Sequence, residues 1–298
     1  MKIAIASAKG GTGKTTIATN LFEALRLEGN FTVDFFDTNV GEPDAHLFLD
    51  NIYTEQTNKE VVNIKIPLFD KEKCTYCGKC LHYCEYDAIV MNKEDRNIYL
   101  IDNKCTSCGA CIYVCNDNAI TEIDKEIGII NIRENKSSDN QGSRFIDGYL
   151  NIGHPFVSPI VQSMKTKLIT GQISIIDTAP GTSRAVVEAL YDVDYIVLVA
   201  ESSAFGLHDL QLMVKMLNEL RKGFGVVINR YHGEHNIVQE YLEKAQIPLL
   251  MEIPFKMEYA RIYSESELLV NNNDDMRKKF LELFEKIKSE YMLKAMYR

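Results

Sequence analysis

The stretch Ala8-Lys9-Gly10-Gly11-Thr12-Gly13-Lys14-Thr15-Thr16 constrains this chain more than any other. It follows a short apolar run, Lys2 to Ala6, and precedes an amphipathic segment, Ile17 to Leu27. Apolar strand, glycine-rich turn and helix form the context that a phosphate-binding loop needs. Glycines let backbone N–H groups close around a polyphosphate with no Cβ between them. The helix N-terminus adds unpaired N–H donors and partial positive charge. In such a loop Lys14 neutralises the β- and γ-phosphates, and the Thr15 hydroxyl ligates Mg²⁺. Gly10, Gly11, Thr12, Gly13 and Thr16 complete the cradle, and Ala8 stands where the usual pattern opens with glycine.

All eight cysteines lie between Cys74 and Cys115. They form two runs, Cys74, Cys77, Cys80, Cys84 and Cys105, Cys108, Cys111, Cys115, each spaced C-x₂-C-x₂-C-x₃-C. The offset is 105 − 74 = 31 residues, and Lys73/Lys104, Thr75/Thr106, Gly78/Gly109, Ala88/Ala119 and Ile89/Ile120 repeat with it. This is a duplicated small module. A local cysteine block in an intracellular chain points to metal rather than disulfides. Soft thiolates suit iron–sulfur clusters, and structural zinc needs only four ligands per site in separated pairs.

The phosphate loop carries a second lysine, Lys9, that an ordinary one does not need. The string KGGTGKTT resembles the deviant Walker A motif of the MinD/Mrp/nitrogenase-iron-protein class of ATPases. The resemblance implies that Lys9 reaches across a dimer to the partner's nucleotide. It implies ATP and Mg²⁺ as cofactors, and a homodimer or a heterodimer with a paralogous ATPase. Phe31 to Phe36 reads as a buried strand leading to Asp37-Thr38-Asn39-Val40-Gly41-Glu42-Pro43-Asp44, the switch I position of that class. The family pattern has two aspartates one residue apart, then a proline and an asparagine. Asp37 matches the first aspartate, on the Mg²⁺ side, and Pro43 the proline; Asn39 and Asp44 depart from it. An amide is no useful base at neutral pH. Asn39 therefore implies slow hydrolysis, unless Asp44, the second acid in the loop, compensates.

Ile173 to Asp177 is an apolar strand ending in an aspartate, followed by Thr178-Ala179-Pro180-Gly181. A strand-end aspartate beside a phosphate loop holds Mg²⁺ through water. The D-x-x-P-G form resembles switch II, with Gly181 near the γ-phosphate. Asn229, closing the strand from Gly225, and Ile253-Pro254-Phe255 fit the family's adenine pocket; that assignment comes from the resemblance.

The cysteine runs resemble those of a bacterial two-cluster ferredoxin, where the fourth cysteine of each run ligates the other cluster. The resemblance implies two 4Fe–4S clusters, one on Cys74, Cys77, Cys80 and Cys115, the other on Cys105, Cys108, Cys111 and Cys84. Glu85 and Asn116 replace the usual prolines after the fourth cysteines.

With 33 Lys and Arg against 42 Asp and Glu, the net charge is −9, which argues against nucleic acid as a partner. No apolar run reaches the ~20 residues of a membrane span. Met1-Lys2 leads directly into the first strand, so no signal peptide is expected and the cytoplasm is. Asn131 to Arg144 is polar and reads as a mobile loop. Met276, Phe280, Leu283, Phe284, Ile287 and Tyr291 recur at helical spacing. Glu282, Glu285 and Glu290 break up a basic face there, which favours packing onto the domain over membrane binding. The six histidines form no metal-spaced pair beyond His232/His235 and read as ordinary residues.

The expected fold is α/β: a mostly parallel sheet with helices on both faces over residues 1–66 and 125–298, and a ferredoxin-like α+β domain inserted at 67–124. The expected function is an ATPase whose nucleotide state controls electron transfer to a redox partner. An iron–sulfur carrier is a rival, although such relatives use a Cys-x-x-Cys near the C-terminus and no cysteine follows Cys115. A nitrogenase-iron-protein-like reductase needs cysteines near switch II, and Asp177 to Ala185 has none. A nucleotide-gated, non-catalytic sensor also stays open.

Overall fold

The computed structural model describes residues 1–53, 56–135, 142–233 and 237–296. In chain order the first half comprises β1 (Lys2–Ala6), α1 (Lys14–Glu28), β2 (Val33–Asp37), α2 (His46–Leu49), β3 (Gln56–Phe69), α3 (Lys79–His82), β4 (Ile89–Asn92), β5 (Asn97–Leu100), α4 (Ala110–Tyr113) and β6 (Ile120–Asn135). There follow β7 (Ser143–Leu150), α5 (Ser158–Lys165), β8 (Ile173–Asp177), α6 (Arg184–Leu190), β9 (Tyr195–Glu201), α7 (Ala204–Glu219), β10 (Phe224–Tyr231), α8 (Ile237–Ala245), β11 (Leu249–Pro254), α9 (Met257–Ser264), α10 (Leu269–Asn272) and α11 (Asp274–Met296).

Nine strands form one sheet in the order β11-β10-β9-β1-β8-β2-β7-β6-β3. From β11 to β7 every pairing is parallel; β6 and β3 then join antiparallel. Parallel strands buried on both faces need apolar residues of both parities. β1 illustrates this. Ile3 and Ile5 enter the layer under α1, α10 and α11, whereas Ala4 and Ala6 enter the opposite layer, under α5, α6, α7 and α8. The mostly parallel α/β fold with helices on both faces is the expected one. Met276, Phe280, Leu283, Phe284 and Ile287 of α11 are buried in the first layer, and Tyr291 is partly exposed. No helix among the described residues is long and apolar enough to cross a membrane.

The cysteine-rich segment occupies the end of the β3–β6 hairpin. That ladder runs from Gln56↔Arg133 to Phe69↔Ile120, and the second half of β6, from Gly128, also pairs with β7. Residues 70–119 form a small lobe with the two-stranded β4–β5 sheet, around an apolar centre of Tyr76, Cys80, Ile89 and Ile98 that Ile120 of β6 completes.

One expectation is corrected. Residues 131–135 and 143–144 belong to β6 and β7, not to a loop; residues 136–141 lie outside the described residues. The polarity that suggested a loop is paired inside the sheet. Arg133 reaches the fully buried Asp147 at 3.1 Å and lies over the Phe145 ring. Arg144 forks onto Asp34, donating to Oδ1 at 3.2 Å and to Oδ2 at 2.6 Å.

Candidate functional site

The glycine-rich turn leaves the carboxyl end of β1 and enters α1 at Lys14. Gly11 (φ 80°) and Gly13 (φ 91°) are left-handed, which is where glycine is needed. A Cβ on Gly13 would overlap Asn229 Nδ2 and lie 3.3 Å from its Cγ. Asn229 sits within β10, and its amide donates to the Thr12 carbonyl at 2.8 Å. A strand-end asparagine was expected there; the strand continues to Tyr231.

Lys14 and Asp177 face each other, Nζ to Oδ1 3.4 Å, with side-chain exposures of 8% and 0%. Among the described residues, neither Asp177 oxygen has a hydrogen-bond partner. Burial pushes this carboxyl above its usual range, and Lys14 offsets part of the shift. The Asp177 carboxylate, which accepts no hydrogen bond among the described residues, and the Thr15 hydroxyl are hard oxygen donors of the kind that suit Mg²⁺, with the Lys14 ammonium beside them as a phosphate-side charge. The loop after β8 is tied to the glycine-rich turn: Gly181 (φ 92°) donates its N–H to the Ser7 carbonyl at 2.9 Å.

Asp37, also fully buried, accepts backbone N–H bonds from Asn39 on Oδ1 and from Asp44 and Ala45 on Oδ2, each at 3.1 Å. It pins the loop that follows it. Burial, with Asp177 adding, pushes its carboxyl up to about 8. Asn39 donates Nδ2 to the Glu42 carbonyl at 2.7 Å. Thr15 donates its hydroxyl to Asp44 Oδ1 at 3.0 Å. Thr38 joins the two loops, its N–H and hydroxyl donating to the Asp177 carbonyl at 2.9 and 2.7 Å.

Lys14, Thr15, Asn39 and Asp44 line a cleft of about 510 Å³ together with Gly10, Thr16, Asn229, Pro254, Phe255, Tyr259 and Tyr263; Asp37, Thr38 and Asp177 are buried behind it. Lys9 is exposed and lines a separate pocket with Thr12 and residues of β9 and α7. Sequence reasoning missed Thr38, Tyr259 and Tyr263; the two tyrosines stand four apart on α9, straight after Ile253-Pro254-Phe255, and that spacing was the available signal.

In the lobe the two modules repeat in backbone as well as in sequence. Tyr76/Ser107, Gly78/Gly109 and Asp87/Asn118 all have positive φ. Ala88 N–H points at Cys84 Sγ (3.3 Å) and Ala119 N–H at Cys115 Sγ (3.4 Å). Burial raises the Cys80 thiol pKa, and Cys74, Cys77 and Cys115 add to the shift. Burial likewise raises Cys105, with Cys108 and Cys84 among the causes. Cys84, Cys105, Cys108 and Cys111 line one cavity. Cys84 therefore stands beside the second run, and Cys115 packs against the apolar centre that holds Cys80. No group of three or more His, Cys, Asp or Glu among the described residues is placed to hold a metal ion. His232 lies beside Phe255, and His235 falls outside the described residues.

Residues 3–270 match the CobQ/CobB/MinD/ParA nucleotide binding domain. The chain belongs to this family. It is 30% identical over 291 residues, 97% of this chain and 96% of the relative, to the uncharacterized protein MJ0578 of Methanocaldococcus jannaschii. Its fold is similar to that of the cell division ATPase MinD of Pyrococcus furiosus (TM-score 0.58, 19% identity, 97% of this chain and 98% of that one). It is also similar to the septum site-determining protein MinD of Pyrococcus horikoshii, solved with Mg-ADP (TM-score 0.57, 18% identity, 96% and 95%). The family description names nucleotide binding and says nothing of iron–sulfur clusters.

Proposed function

We propose that this chain is an ATP-hydrolysing iron–sulfur protein in which the nucleotide state of a dimeric P-loop ATPase controls electron transfer through two 4Fe–4S clusters. The observation that carries the reading is that Cys84, from the first run, shares one cavity with Cys105, Cys108 and Cys111 of the second. Four thiolates that hold a cubane each bind a different iron and need not converge on one point, as zinc ligands must. That is compatible with the absence of a single-ion site among the described residues. The clusters would supply one-electron redox chemistry; the chain supplies ligands, burial and N–H groups aimed at sulfur, all of which tune potential.

Phosphoryl transfer depends mostly on positioning and charge. Lys14 and the N–H groups of Gly10, Gly11 and Gly13 would bind the phosphates, Thr15 and Asp177 would hold Mg²⁺, and Gly181 would approach the γ-phosphate. Asp37 would order switch I through the three N–H bonds it accepts. Asn229, Pro254 and Phe255 would bound the base. Lys9 is exposed, as a residue acting on a partner's nucleotide must be. Asn39 is held by its amide and offers no base, so turnover without a partner is slow. A redox partner protein in the cytoplasm completes the reading.

A mechanical link supports control by nucleotide. Leu150 of β7 donates its N–H to the carbonyl of Val40, in switch I, at 3.0 Å. Gly148 has no room for a Cβ, which would stand 2.7 Å from Val40 Cγ1. β7 pairs with β6, and β6 continues into the lobe.

The test is anaerobic purification, metal analysis and stopped-flow reduction of the clusters with ATP or ADP. About eight irons per chain are expected, with reduction kinetics that differ between the nucleotides and a difference that Lys14→Ala removes. Stoichiometric zinc without iron, or reduction indifferent to nucleotide, overturns the reading.

A further inference from the structure

We infer that Asp44 is the positioning residue of the cation site: by accepting the Thr15 hydroxyl hydrogen it turns that oxygen's lone pairs toward the divalent cation, and its charge adds to the cation's surroundings. The inference rests on the nucleotide and Mg²⁺ reading above and assigns a role to a residue that departs from the family pattern.

Three acids meet here, but they are not equivalent. Asp37 accepts three backbone N–H bonds across its two oxygens. Asp177 is fully buried, and its only charged partner among the described residues is Lys14 at 3.4 Å from Oδ1; neither oxygen accepts a hydrogen bond there, and that spare acceptor capacity points to a ligand. Asp44 is partly exposed, lines the cleft, and its Oδ1 lies 3.0 Å from Thr15 Oγ1. A hydroxyl has one hydrogen and two lone pairs. With the hydrogen committed to a carboxylate, the lone pairs are left for the metal, and the oxygen is a stronger donor. Outer-shell carboxylates act on metal-ligating imidazoles in this way.

The backbone fixes the arrangement. Asp37 Oδ2 holds the N–H groups of Asp44 and Ala45, which anchors Asp44 opposite Thr15. Asn39, at the place of the family's second aspartate, is turned onto the Glu42 carbonyl. Relative to the family pattern, the chain exchanges carboxylate and amide between positions 39 and 44. The negative charge is thereby moved from the water-positioning side to the cation side. Mg²⁺ is held by one or two carboxylates plus phosphates and water, so the site needs no three-acid cage, and none is present among the described residues.

The experiment measures fluorescent ATP binding to the full chain in EDTA and in Mg²⁺, for wild type, Asp44→Asn and Asp44→Ala. Removing the carboxylate removes repulsion from phosphate, so metal-free ATP binds as well as to wild type or more tightly. The tightening produced by Mg²⁺ should shrink by about 10–100-fold, more for Asp44→Ala, since the amide of Asp44→Asn keeps an acceptor for the Thr15 hydroxyl. A merely structural role weakens binding in both conditions. Equal Mg²⁺ gains in all three proteins, or parallel weakening with and without metal, overturns the inference. Wild type that binds no ATP under either condition overturns the nucleotide reading instead.

Discussion

Gly13→Ala tests whether the turn is shaped by Asn229 across the sheet. Two separable costs arise. The left-handed backbone (φ 91°, ψ 22°) costs an L-residue about 1–2 kcal/mol. The new Cβ overlaps Asn229 Nδ2, and the amide is held by the Thr12 carbonyl in a site only 8% exposed, so relief means breaking that bond or shifting the turn. Overpacking of this kind costs about 1–3 kcal/mol. The single variant should lose roughly 2–5 kcal/mol. Asn229→Ala alone loses a hydrogen bond and leaves the Thr12 carbonyl with a cost of about 1–3 kcal/mol. The double variant lacks the overlap but keeps the backbone strain. Its loss should therefore fall short of the sum by about 1–3 kcal/mol. Urea unfolding of all four proteins, followed by far-UV circular dichroism at matched Mg²⁺ and nucleotide, measures the coupling. Additivity to within about 0.5 kcal/mol refutes the reasoning, because residues that do not touch add.

On the proposed reading, Cys84→Ser should damage the proposed cluster on Cys105, Cys108 and Cys111 and spare the proposed one on Cys74, Cys77, Cys80 and Cys115, which electron paramagnetic resonance of the reduced protein distinguishes; loss confined to its sequence neighbours contradicts the proposed crossing. In EDTA, stability should fall as pH rises from about 4 to 8. Folded Asp37 keeps its proton up to about 8 while the unfolded chain releases it near 3.8, so the folded state binds more protons across that window. Mg²⁺ with ATP should flatten the slope, and a metal-free profile that rises over the same range is the contrary result. Asp34→Ala should cost about 3–5 kcal/mol by stranding Arg144, whereas Tyr195→Phe, which removes a buried hydroxyl with no partner among the described residues, should be neutral or stabilising by about 1 kcal/mol; chemical denaturation reads both.

Local features were legible from the residues alone. Strand, glycine turn and helix around Lys14 are set by neighbours in the chain, and the 31-residue cysteine repeat is set by spacing. Buried parallel strands such as Ile173–Asp177 are legible because an apolar run between turns has few alternatives. Folding in three dimensions settled whatever depends on which strands lie side by side. Residues 131–135 and 143–144 resemble a loop until Arg133 meets Asp147 and Arg144 meets Asp34, pairings between residues 14 and 110 positions apart. Asp44 and Thr15 are 29 apart, and Asn229 and Thr12 are 217 apart. No periodicity encodes such meetings. A polar side chain in a strand has the same local signature whether it faces water or a buried partner, and only the register of the sheet brings the partner within hydrogen-bond reach.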